Sequence, residues 1–529
     1  MFLTTNGTSS VLVSTPTLRS VGSPTAEYQS MSTQWRRIRA VLQGEAYAKA
    51  YDSELDTINY TNLLIPFSPT MTPNQYRWFV AEAQLPGLVA QYLKVMIGGL
   101  LRKDPQLELP EVFADHWDWI YNHFTEDNQP LLAFLNEALT EELISSRAWI
   151  SVDFPRVTED MDDDTRAQLK PYPVLWKADE IINWQVTRSA ATGRPELVRA
   201  VFRYVSKDYT EDNPYHPTLV PTVVEHYVDE EGIYTVDSYK QVNAIAVRLD
   251  NGEYSVVQQN GGNTDLSGEG EWELVDSVRP QIQGSYFSRL PIFPLNGNYE
   301  PVAPMLAPMV DKEISLYNKV SRRNHLLYGA ATYTPYVKSD TIGDEDFRIL
   351  AQQGLGTWFK VGSADSIEIV TPPTEALSSY ENAISQDVEE LTMLGIRILA
   401  PEAGESGISL SIRNSTQLAQ LGLLNTRVSQ TMLSVISLML QWATGEALHP
   451  EDVDFSLSAD FDPTPLGGDW MRMVSEWYQQ GLVPRSLWIR VAKLHDIIPA
   501  DYDDEEGQQE IAQDPQLAAN QDYQNYQLE

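Results

Sequence analysis

The N-terminal part of the chain carries apolar residues at a helical spacing. Apolar and small side chains recur every three or four positions over residues 32–50, which predicts a helix there. The same pattern predicts helices over residues 72–83, 86–100 and 130–146. Residues 1–30 are rich in Ser, Thr, Gly and Pro without any period, so we expect a flexible or extended arm.

A second pattern, the alternation of apolar and polar residues, replaces the helical one in the middle of the chain. Short β-branched and aromatic runs predict strands over residues 149–154, 181–187, 197–205 and 223–228. Asn251 and Gly252 separate two further runs, and both tolerate positive φ, so they predict a hairpin turn. Glu231 and Gly232 predict a second one. This block is therefore expected to be rich in β-sheet.

Helical spacing then returns in two segments with strand-like runs between them. Residues 304–328 have acidic side chains near the start and basic ones near the end, an order that complements the helix dipole. Strands are predicted over residues 333–338, 357–361 and 367–370, and a second helix over residues 374–399. Polar residues on these two helices predict a solvated face beside an apolar one on each: Lys312, Asn318, Lys319, Arg322, Asp387, Glu389 and Glu390.

The longest helical pattern follows a short loop of small residues. Residues 401–409 contain nothing that would pack, so we expect a mobile loop. Residues 410–443 keep an apolar seam over about 50 Å, at 1.5 Å per residue. Spacing alone favours a central core helix over an intersubunit coiled coil. Asn425 lies in the seam, where it is expected either to set the helix register or to face solvent.

The C-terminal part contains two shorter helical patterns and an acidic end. Helices are predicted over residues 469–481 and 485–494. Residues 499–529 are acidic and rich in Gln and Asn, which predicts a tail that is disordered or ordered only by partners.

Length and charge limit the classes of protein that fit. The chain has 529 residues, so about two to four packed units are expected. It has 37 Lys and Arg against 74 Asp and Glu, which gives a net charge of −37. An acidic surface repels phosphate, and this excludes proteins that wrap DNA by releasing counterions.

The absence of cysteine and of an apolar span narrows the classes further. Without Cys there are no disulfides, thiolate zinc sites or cysteine nucleophiles. The most apolar stretch, residues 85–101, is interrupted by Gln91 and Lys94, so no membrane span is expected. Residues 1–10 lack the basic and apolar regions of a secretory signal. These features predict a soluble protein.

No group of residues predicts catalytic chemistry or a metal site. Asp160, Asp162 and Asp164 alternate as in a calcium loop, but Thr165 stands where that loop needs Gly. The 7 His residues include no pair spaced for zinc on a helix. Residues 404–407 lack the Gly-x-Ser-x-Gly spacing of a nucleophile elbow. We expect no catalytic residue, no metal and no cofactor.

The order of the predicted elements resembles that of the portal proteins of tailed bacteriophages. Residues 304–443 run helix, strand-rich insertion, helix, loop and long helix, similar to the stem, clip, stem, tunnel loop and backbone helix of that family. Local stretches are also similar to portal-like phage sequences: IGGLLRKDP at residues 97–105, IINW within residues 178–186, GLGTWF at residues 354–359, and residues 453–463 ending in ADFDP. The resemblance covers roughly residues 32–500.

The resemblance implies an α+β portal fold with a fixed order of parts. Residues 1–30 would be a flexible N-terminal arm, and residues 31–301 a wing that is helical and then β-rich. The central parts would be stem helix 1 over 302–328, a small α/β clip over 329–373 and stem helix 2 over 374–399. The remaining parts would be a tunnel loop over 400–409, the long backbone helix over 410–444, a helical crown over 445–498 and an acidic C-terminal tail over 499–529.

A portal protein would act as a conduit and not as an enzyme. The resemblance implies a ring, usually of twelve subunits, at one capsid vertex, through which double-stranded DNA is packaged and later ejected. The implied partners are further copies of the chain, the terminase large subunit, a head-tail adaptor, and the major capsid and scaffolding proteins. The implied location is the virion, after assembly in the host cytoplasm. No cofactor and no membrane partner are implied.

Three groups of residues are candidate sites on this resemblance. The loop that faces DNA would be Pro401, Glu402, Ala403, Gly404, Glu405, Ser406 and Gly407. The basic residues near the channel would be Arg322, Arg323, Arg397 and Arg413, each of which would either contact phosphate or form a salt bridge with a neighbouring acid. The clip residues that bind partners would be Lys338, Arg348, Trp358 and Lys360.

Two other classes stay open at this point. Another virion component, such as an adaptor or a tail protein, fits less well because adaptors are usually much shorter. A multidomain hydrolase would need two carboxylates that converge in a pocket with perturbed pKa values. For a portal, the net charge of −37 has a specific meaning, because a wall of mostly like charge would let DNA slide without adhering.

Overall fold

The structure is a computed structural model, and the chain divides into two compact units. The described residues are 20–48, 51–52, 57–58, 72–155, 161–162, 169–189, 192–210, 213–242, 244–248, 254–258, 263–264, 271–331, 334–338, 366–370, 375–394, 407–446, 448–449 and 452–457, with a few isolated positions besides. The first unit comprises residues 1–97 and 105–457. The second comprises residues 98–104 and 458–529, and the helices and tail predicted beyond residue 457 lie almost wholly outside the described residues.

The N-terminal part is mainly helical, as predicted. Its helices are α1 (Ala26–Leu42), α2 (Glu45–Ala48), α3 (Pro73–Glu82), α4 (Leu88–Leu100), a 3-10 helix (Glu111–His116), α5 (Trp117–Asn122) and α6 (Leu131–Ser145). A capping box at Thr72 begins α3, because the Thr72 side chain and the Gln75 side chain each bind the backbone N–H of the other residue.

The start of α1 differs from the prediction of an arm over residues 1–30. The Thr25 hydroxyl accepts a hydrogen bond from the Tyr28 N–H at 3.1 Å, so helix begins at Ala26. Tyr28 and Trp35 are buried in the core between α1 and the β-rich region, which explains why residues 26–30 are ordered as helix. Gly44, at a φ of 92°, divides the predicted helix over residues 32–50 into α1 and α2.

The middle block is rich in antiparallel sheet. The strands of the middle block are β4 (Trp149–Asp153), β5 (Tyr172–Trp176), β6 (Ile181–Arg188), β7 (Pro195–Thr210), β8 (Asn213–Val228), β9 (Tyr234–Gln241), β10 (Ala244–Arg248), β11 (Tyr254–Gln258), β12 (Asn263–Thr264), β13 (Trp272–Val278), β14 (Gln281–Ile282), β15 (Ser285–Tyr286) and β16 (Ile292–Pro294). Three short strands precede them in the N-terminal part: β1 (Tyr51–Asp52), β2 (Thr57–Ile58) and β3 (Gln106–Glu108). The largest sheet has the order β13-β9-β8-β7-β6, and smaller sheets have the orders β16-β4-β5 and β10-β11-β12.

Both predicted hairpins are confirmed by strand pairing. The β8–β9 hairpin turns at Gly232, which has a φ of 78°, and β10 pairs with β11 in antiparallel fashion across Asn251 and Gly252. Those two turn residues themselves lie outside the described residues.

The β7–β8 pair is longer than the sequence predicts. Each strand has 16 residues. Strand β8 contains Pro214, Pro217 and Pro221, and these prolines make its sequence unlike that of a strand. Pairing of β8 with β9 begins only at Thr222, so all three prolines lie where β8 has β7 as its partner in the sheet. Proline has no backbone N–H to donate, and this is tolerated here because β8 forms hydrogen bonds with a described strand on one side only.

The last third of the first unit is built from long helices. Its elements are α7 (Ala307–Ala331), β17 (Thr334–Lys338), β18 (Ser366–Val370), α8 (Glu375–Leu394), α9 (Gly407–Thr444) and β19 (Asp454–Ser456). Strand β19 pairs with β3, which joins the end of this region to the N-terminal part. Helix and sheet together confirm the α+β class. Within the described residues, no helix combines the length and the apolar character needed to cross a bilayer.

Candidate functional site

The region that corresponds to the predicted stem and clip is an antiparallel helix pair with paired strands at one end. Strands β17 and β18 pair from Thr334 opposite Val370 to Lys338 opposite Ser366. Helix α7 enters this strand pair and α8 leaves it. The described strands over 334–338 and 366–370 confirm two of the three strands predicted here, while the predicted strand over residues 357–361 lies outside the described residues.

A buried carboxylate joins the two helices of this pair. Asp387 of α8 is 3% exposed, and its Oδ2 lies 2.6 Å from the Nζ of Lys319 and 3.3 Å from the Oγ of Ser315 on α7. Its Oδ1 lies 3.4 Å from the Nζ of Lys312, which also contacts Glu390. The hydrogen bond to Glu390 raises the pKa of the Lys312 ammonium above its ordinary value. One carboxylate thus holds two cations of the neighbouring helix.

This bridge corrects the prediction of solvated faces on the two helices. Lys312, Lys319 and Asp387 were assigned to solvent from their polarity alone, but they form the contact between α7 and α8. Glu389 is exposed, as predicted, and Arg322 is exposed on α7. The polar residues of α7 and α8 therefore divide between an internal bridge and an outer surface.

A second buried carboxylate ties α7 to α4. Glu313 is completely buried, and its two carboxylate oxygens accept hydrogen bonds from the N–H groups of Leu88 and Val89, each at 2.8 Å. These N–H groups belong to the first turn of α4 and have no partner inside that helix. Burial raises the pKa of the Glu313 carboxyl, although its backbone hydrogen bonds oppose the rise. Glu313 thus caps a helix that lies 225 residues away in the sequence.

Helix α9 is held along its described length and at its C-terminal end. Asn425 is 6% exposed; its Nδ2 donates to the Leu457 carbonyl at 3.3 Å, and its Oδ1 accepts from Ser429. The Ser429 hydroxyl in turn accepts from the Leu457 N–H. Asn425 therefore anchors the segment after β19, and the prediction that it faces solvent is wrong.

The C-terminal end of α9 packs on the β14–β15 hairpin. Gln283 donates from Nε2 to the Thr444 carbonyl at 2.9 Å, which satisfies one of the last carbonyls of the helix. The Trp442 indole donates to the Gln281 carbonyl at 3.1 Å, and its ring contacts Phe154 and Phe287. The buried residues of α9 include Val428, Met432, Val435 and Met439. Its described C-terminal half is a core helix, the alternative that spacing favoured.

The titratable groups buried beneath the sheet occupy packing positions. Arg147 is 2% exposed and lies over the rings of Trp149 and Trp184, and burial lowers the pKa of its guanidinium to about 9. His226 bonds from Nδ1 to the Tyr234 hydroxyl at 2.7 Å, and burial lowers the pKa of its imidazole to about 3. Burial is the largest cause of both shifts.

One open cavity lies between α9 and the segment around β16. It has a volume of about 240 Å³ and is lined by Phe293, Pro294, Gly297, Tyr299, Arg427, Gln430, Thr431 and Ser434. None of these lining residues is a carboxylate, so this cavity does not provide the acid pair that a glycosidase-type hydrolase needs. Among the described residues there is also no group of three or more His, Asp or Glu side chains placed to hold a metal ion.

The predicted site residues fall partly inside and partly outside the described residues. Residues 401–406 of the tunnel loop lie outside, and Gly407 is the first residue of α9. Arg397, Trp358 and Lys360 also lie outside. Lys338 ends β17 and Arg413 lies in α9, but their side chains are not among those the structure describes.

The described candidate cations differ in their contacts. Arg323 donates from Nη2 to the Asn324 Oδ1 at 2.9 Å and is not held by a carboxylate in the described residues. Arg322 is exposed and has no carboxylate within 4 Å among those residues, so the salt-bridge alternative finds no support there. Arg348 forms an exposed ion pair with Glu345 at 3.9 Å. Of these three, Arg322 is the one that is both exposed and without a carboxylate partner among the described residues.

Sequence reasoning missed the residues that organise this region. Asp387, Glu313 and Asn425 act through partners that lie 68, 225 and 32 residues away in the sequence. The one sequence signal available was a polar residue inside an apolar stripe, which Asn425 shows clearly. For Asp387 and Glu313 that signal is weak because other acids surround them in the sequence.

Comparison with known proteins gives low similarities. No protein family model and no curated protein matches the chain. A chain in the virion of a native gene transfer agent particle is 10% identical, with 78% of this chain and 91% of that chain covered and a TM-score of 0.36. A chain in the neck of an empty gene transfer agent particle, computed with C6 symmetry, is 10% identical over 76% of this chain and 89% of that one, with a TM-score of 0.39.

A third solved chain gives a similar result. It lies in the neck of a native gene transfer agent particle computed with C12 symmetry, and it is 11% identical over 79% of this chain and 91% of that one, with a TM-score of 0.33. These TM-scores are too low for the similarities to assign a fold or a role to this chain.

Proposed function

We propose that the chain is a portal protein, a subunit of a ring at one capsid vertex that conducts DNA during packaging and ejection. The observation that carries the proposal is the helix pair α7–α8 with the strand pair β17–β18 at one end, followed by the 38-residue helix α9. The order of these elements matches the stem, clip and backbone helix that the sequence resemblance implies. At 1.5 Å per residue, α9 is about 57 Å long.

The internal bridges of this region suit a part that must stay rigid in an assembly. Asp387 fixes α8 to α7, Glu313 fixes α7 to α4, and Asn425 fixes α9 to the segment that follows β19. A ring of identical subunits needs a heterologous interface that closes on itself, and rigid elongated helices provide a reproducible one. We propose a ring of twelve copies, with the clip binding the terminase large subunit and later a head-tail adaptor.

The exposed charges of the helix pair fit a surface that does not hold DNA tightly. The outer face of α8 carries Glu381 and Glu389, while Arg322 on α7 is an exposed cation without a described carboxylate partner. Phosphate would be repelled by the acids and attracted briefly by the arginine. We propose that DNA slides past such a surface, with no catalytic step carried out by the chain.

Electron microscopy of the purified full-length protein tests the proposal. Annular particles with a central hole support it, and compact single particles at every protein concentration and salt concentration overturn it. Particles that are elongated or tubular would indicate another virion component. A hydrolase would be detected by turnover in a substrate screen of the same preparation, and such an activity would overturn the assignment as a conduit.

A further inference from the structure

Strand β13 is one of the two edge strands of the five-stranded sheet, and β6 is the other. Among the described strands, β13 pairs with β9 and with no strand on its other side. The outward N–H and C=O groups of an edge strand form a template for another strand, and proteins usually cover or charge such an edge. Three apolar side chains are nevertheless exposed on this strand: Leu274 at 51%, Val275 at 55% and Val278 at 37%.

The shape of β13 shows which part of the edge is available. The register with β9 shifts between Leu274 and Asp276, so Val275 is an extra residue on the bulged strand. Ser277 is exposed, and its hydroxyl donates a hydrogen bond to its cross-strand neighbour Asp237 on β9 at 2.6 Å. The exposed apolar residues on either side of this point leave an apolar edge open to an extended peptide.

The chain enters the described structure beside this strand. Residues 20–23 form a turn in which the Ser23 N–H donates to the Ser20 carbonyl at 3.0 Å. Gly22 lies directly on the Trp272 ring, so closely that a Cβ at this position would come within 2.5 Å of it. Trp272 is the first residue of β13. The segment that precedes Ser20 therefore leaves the described structure near the first residue of β13, while Ser23 and Thr25 are held by hydrogen bonds to β6 at the other edge of the sheet.

The composition of that segment suits the edge. Residues 1–19 contain no Asp or Glu in a chain of net charge −37, and Arg19 is their one charged side chain. Residues 10–15, with the sequence SVLVST, are rich in strand-forming side chains. Glu271 and Glu273 are exposed on and beside β13. Because residues 1–19 contain no acidic side chain, they would meet no like-charge repulsion there.

We propose that residues 10–15 of the same chain add to the free edge of β13 as a sixth strand of the sheet. From Thr15 to Ser20 the chain makes five Cα–Cα steps and extends to about 18 Å at most, and so short a tether favours the edge of the same sheet over another molecule. Tethering keeps the segment at a high effective concentration near its site. Pairing would cover the apolar edge and satisfy its outward backbone groups. The proposal does not depend on the proposed ring.

Cross-linking of the full-length protein tests the pairing, because the chain has no native Cys to interfere. The variant with Val13→Cys and Val275→Cys is treated with a short bismaleimide. The control combines Val13→Cys with Val112→Cys, since Val112 is 73% exposed on the 3-10 helix outside this sheet. We expect at least about a tenfold higher yield of single-chain cross-link for the first variant. Equal yields, or products that join two chains, overturn the proposal.

Hydrogen exchange gives a second readout that does not require a cross-link. Val13→Pro removes a backbone donor from the proposed strand, whereas Val13→Thr keeps the donor and the β-branched shape. We expect the outward amides of β13 to exchange about tenfold faster in the proline variant than in the threonine variant. Equal exchange of β13 in both variants would show that the segment does not pair there.

Discussion

The bridge at Asp387 gives the sharpest test of how the helix pair is held together. Asp387→Asn keeps the size of the side chain and a hydrogen bond to Ser315, but it removes the negative charge that faces Lys312 and Lys319. The two ammonium groups would then repel each other across a site at which residue 387 is buried. We therefore expect the contact between α7 and α8 to open more often.

The free energy that Asp387→Asn costs depends on the burial of the carboxylate and on the exposure of the two lysines. Hydrogen bonds to charged groups contribute about 1.5 to 3 kcal/mol to stability. Lys312 and Lys319 are 27% and 32% exposed, so water can partly replace the lost carboxylate. We expect the lower half of that range, about 2 kcal/mol, which corresponds to roughly a thirtyfold change in an equilibrium constant.

Native-state hydrogen exchange of the full-length protein is the appropriate assay, because a chain with two units need not unfold in one step. Amides of residues 375–394 should exchange roughly thirtyfold faster in the Asp387→Asn variant. Glu389→Gln removes the same charge from the exposed face of the same helix and should leave exchange nearly unchanged. If the two variants have equal effects, the bridge does not hold the helices and our reasoning about buried charge is wrong here.

Three further perturbations test the other buried polar groups. Glu313→Gln places an amide N–H against the first turn of α4, so exchange at Leu88 should accelerate by an amount equivalent to about 2 kcal/mol of opening free energy. Because burial lowers the pKa of His226 to about 3, the folded state loses stability as the pH falls through about 6.5. From pH 6.5 to pH 5 the free energy of unfolding should fall by about 1.6 kcal/mol, measured by denaturant unfolding followed by tryptophan fluorescence, and this fall should be absent in His226→Phe. Asn425→Ala should speed exchange at Leu457 about tenfold, equivalent to about 1.4 kcal/mol, and an unchanged rate there would contradict the anchoring role.

The regular elements could be predicted because local chemistry specifies them. Thr72 and Gln75 form a capping box that can be read from four residues, and Gly232 supplies the positive φ of its turn. Strand β8 could not be predicted in full, because its three prolines are acceptable only once the extent of β9 is known. The same limit applies to α1, whose early start depends on burial of Tyr28 against distant strands.

The candidate site shows the same division between local and distant causes. The sequence predicts the order helix, strand and helix over residues 304–399, and α7, β17, β18 and α8 confirm it. The assignment of Asp387 to solvent failed because the polarity of a residue does not say whether a cation from another helix will meet it. Burial of a carboxylate that is paired with two lysines costs less free energy than burial of an unpaired carboxylate. Polar residues in such helices can be placed only together with their partners.

These pairings also change the meaning of the net charge. The chain has half as many cations as acids, and several cations are held by carboxylates of the same chain, as Arg39 is by Glu141 and Asp179 and as Lys319 is by Asp387. A cation that is neutralised internally cannot attract an external phosphate. In the proposed conduit, the surface that faces DNA would therefore be poorer in unpaired cations than the composition suggests, and a single exposed residue such as Arg322 would carry more weight. In a conduit, replacing Arg322 by Gln should weaken the contact with DNA more than replacing Lys312 or Lys319 by Gln, because both lysines are paired with Asp387 whereas Arg322 has no carboxylate partner among the described residues.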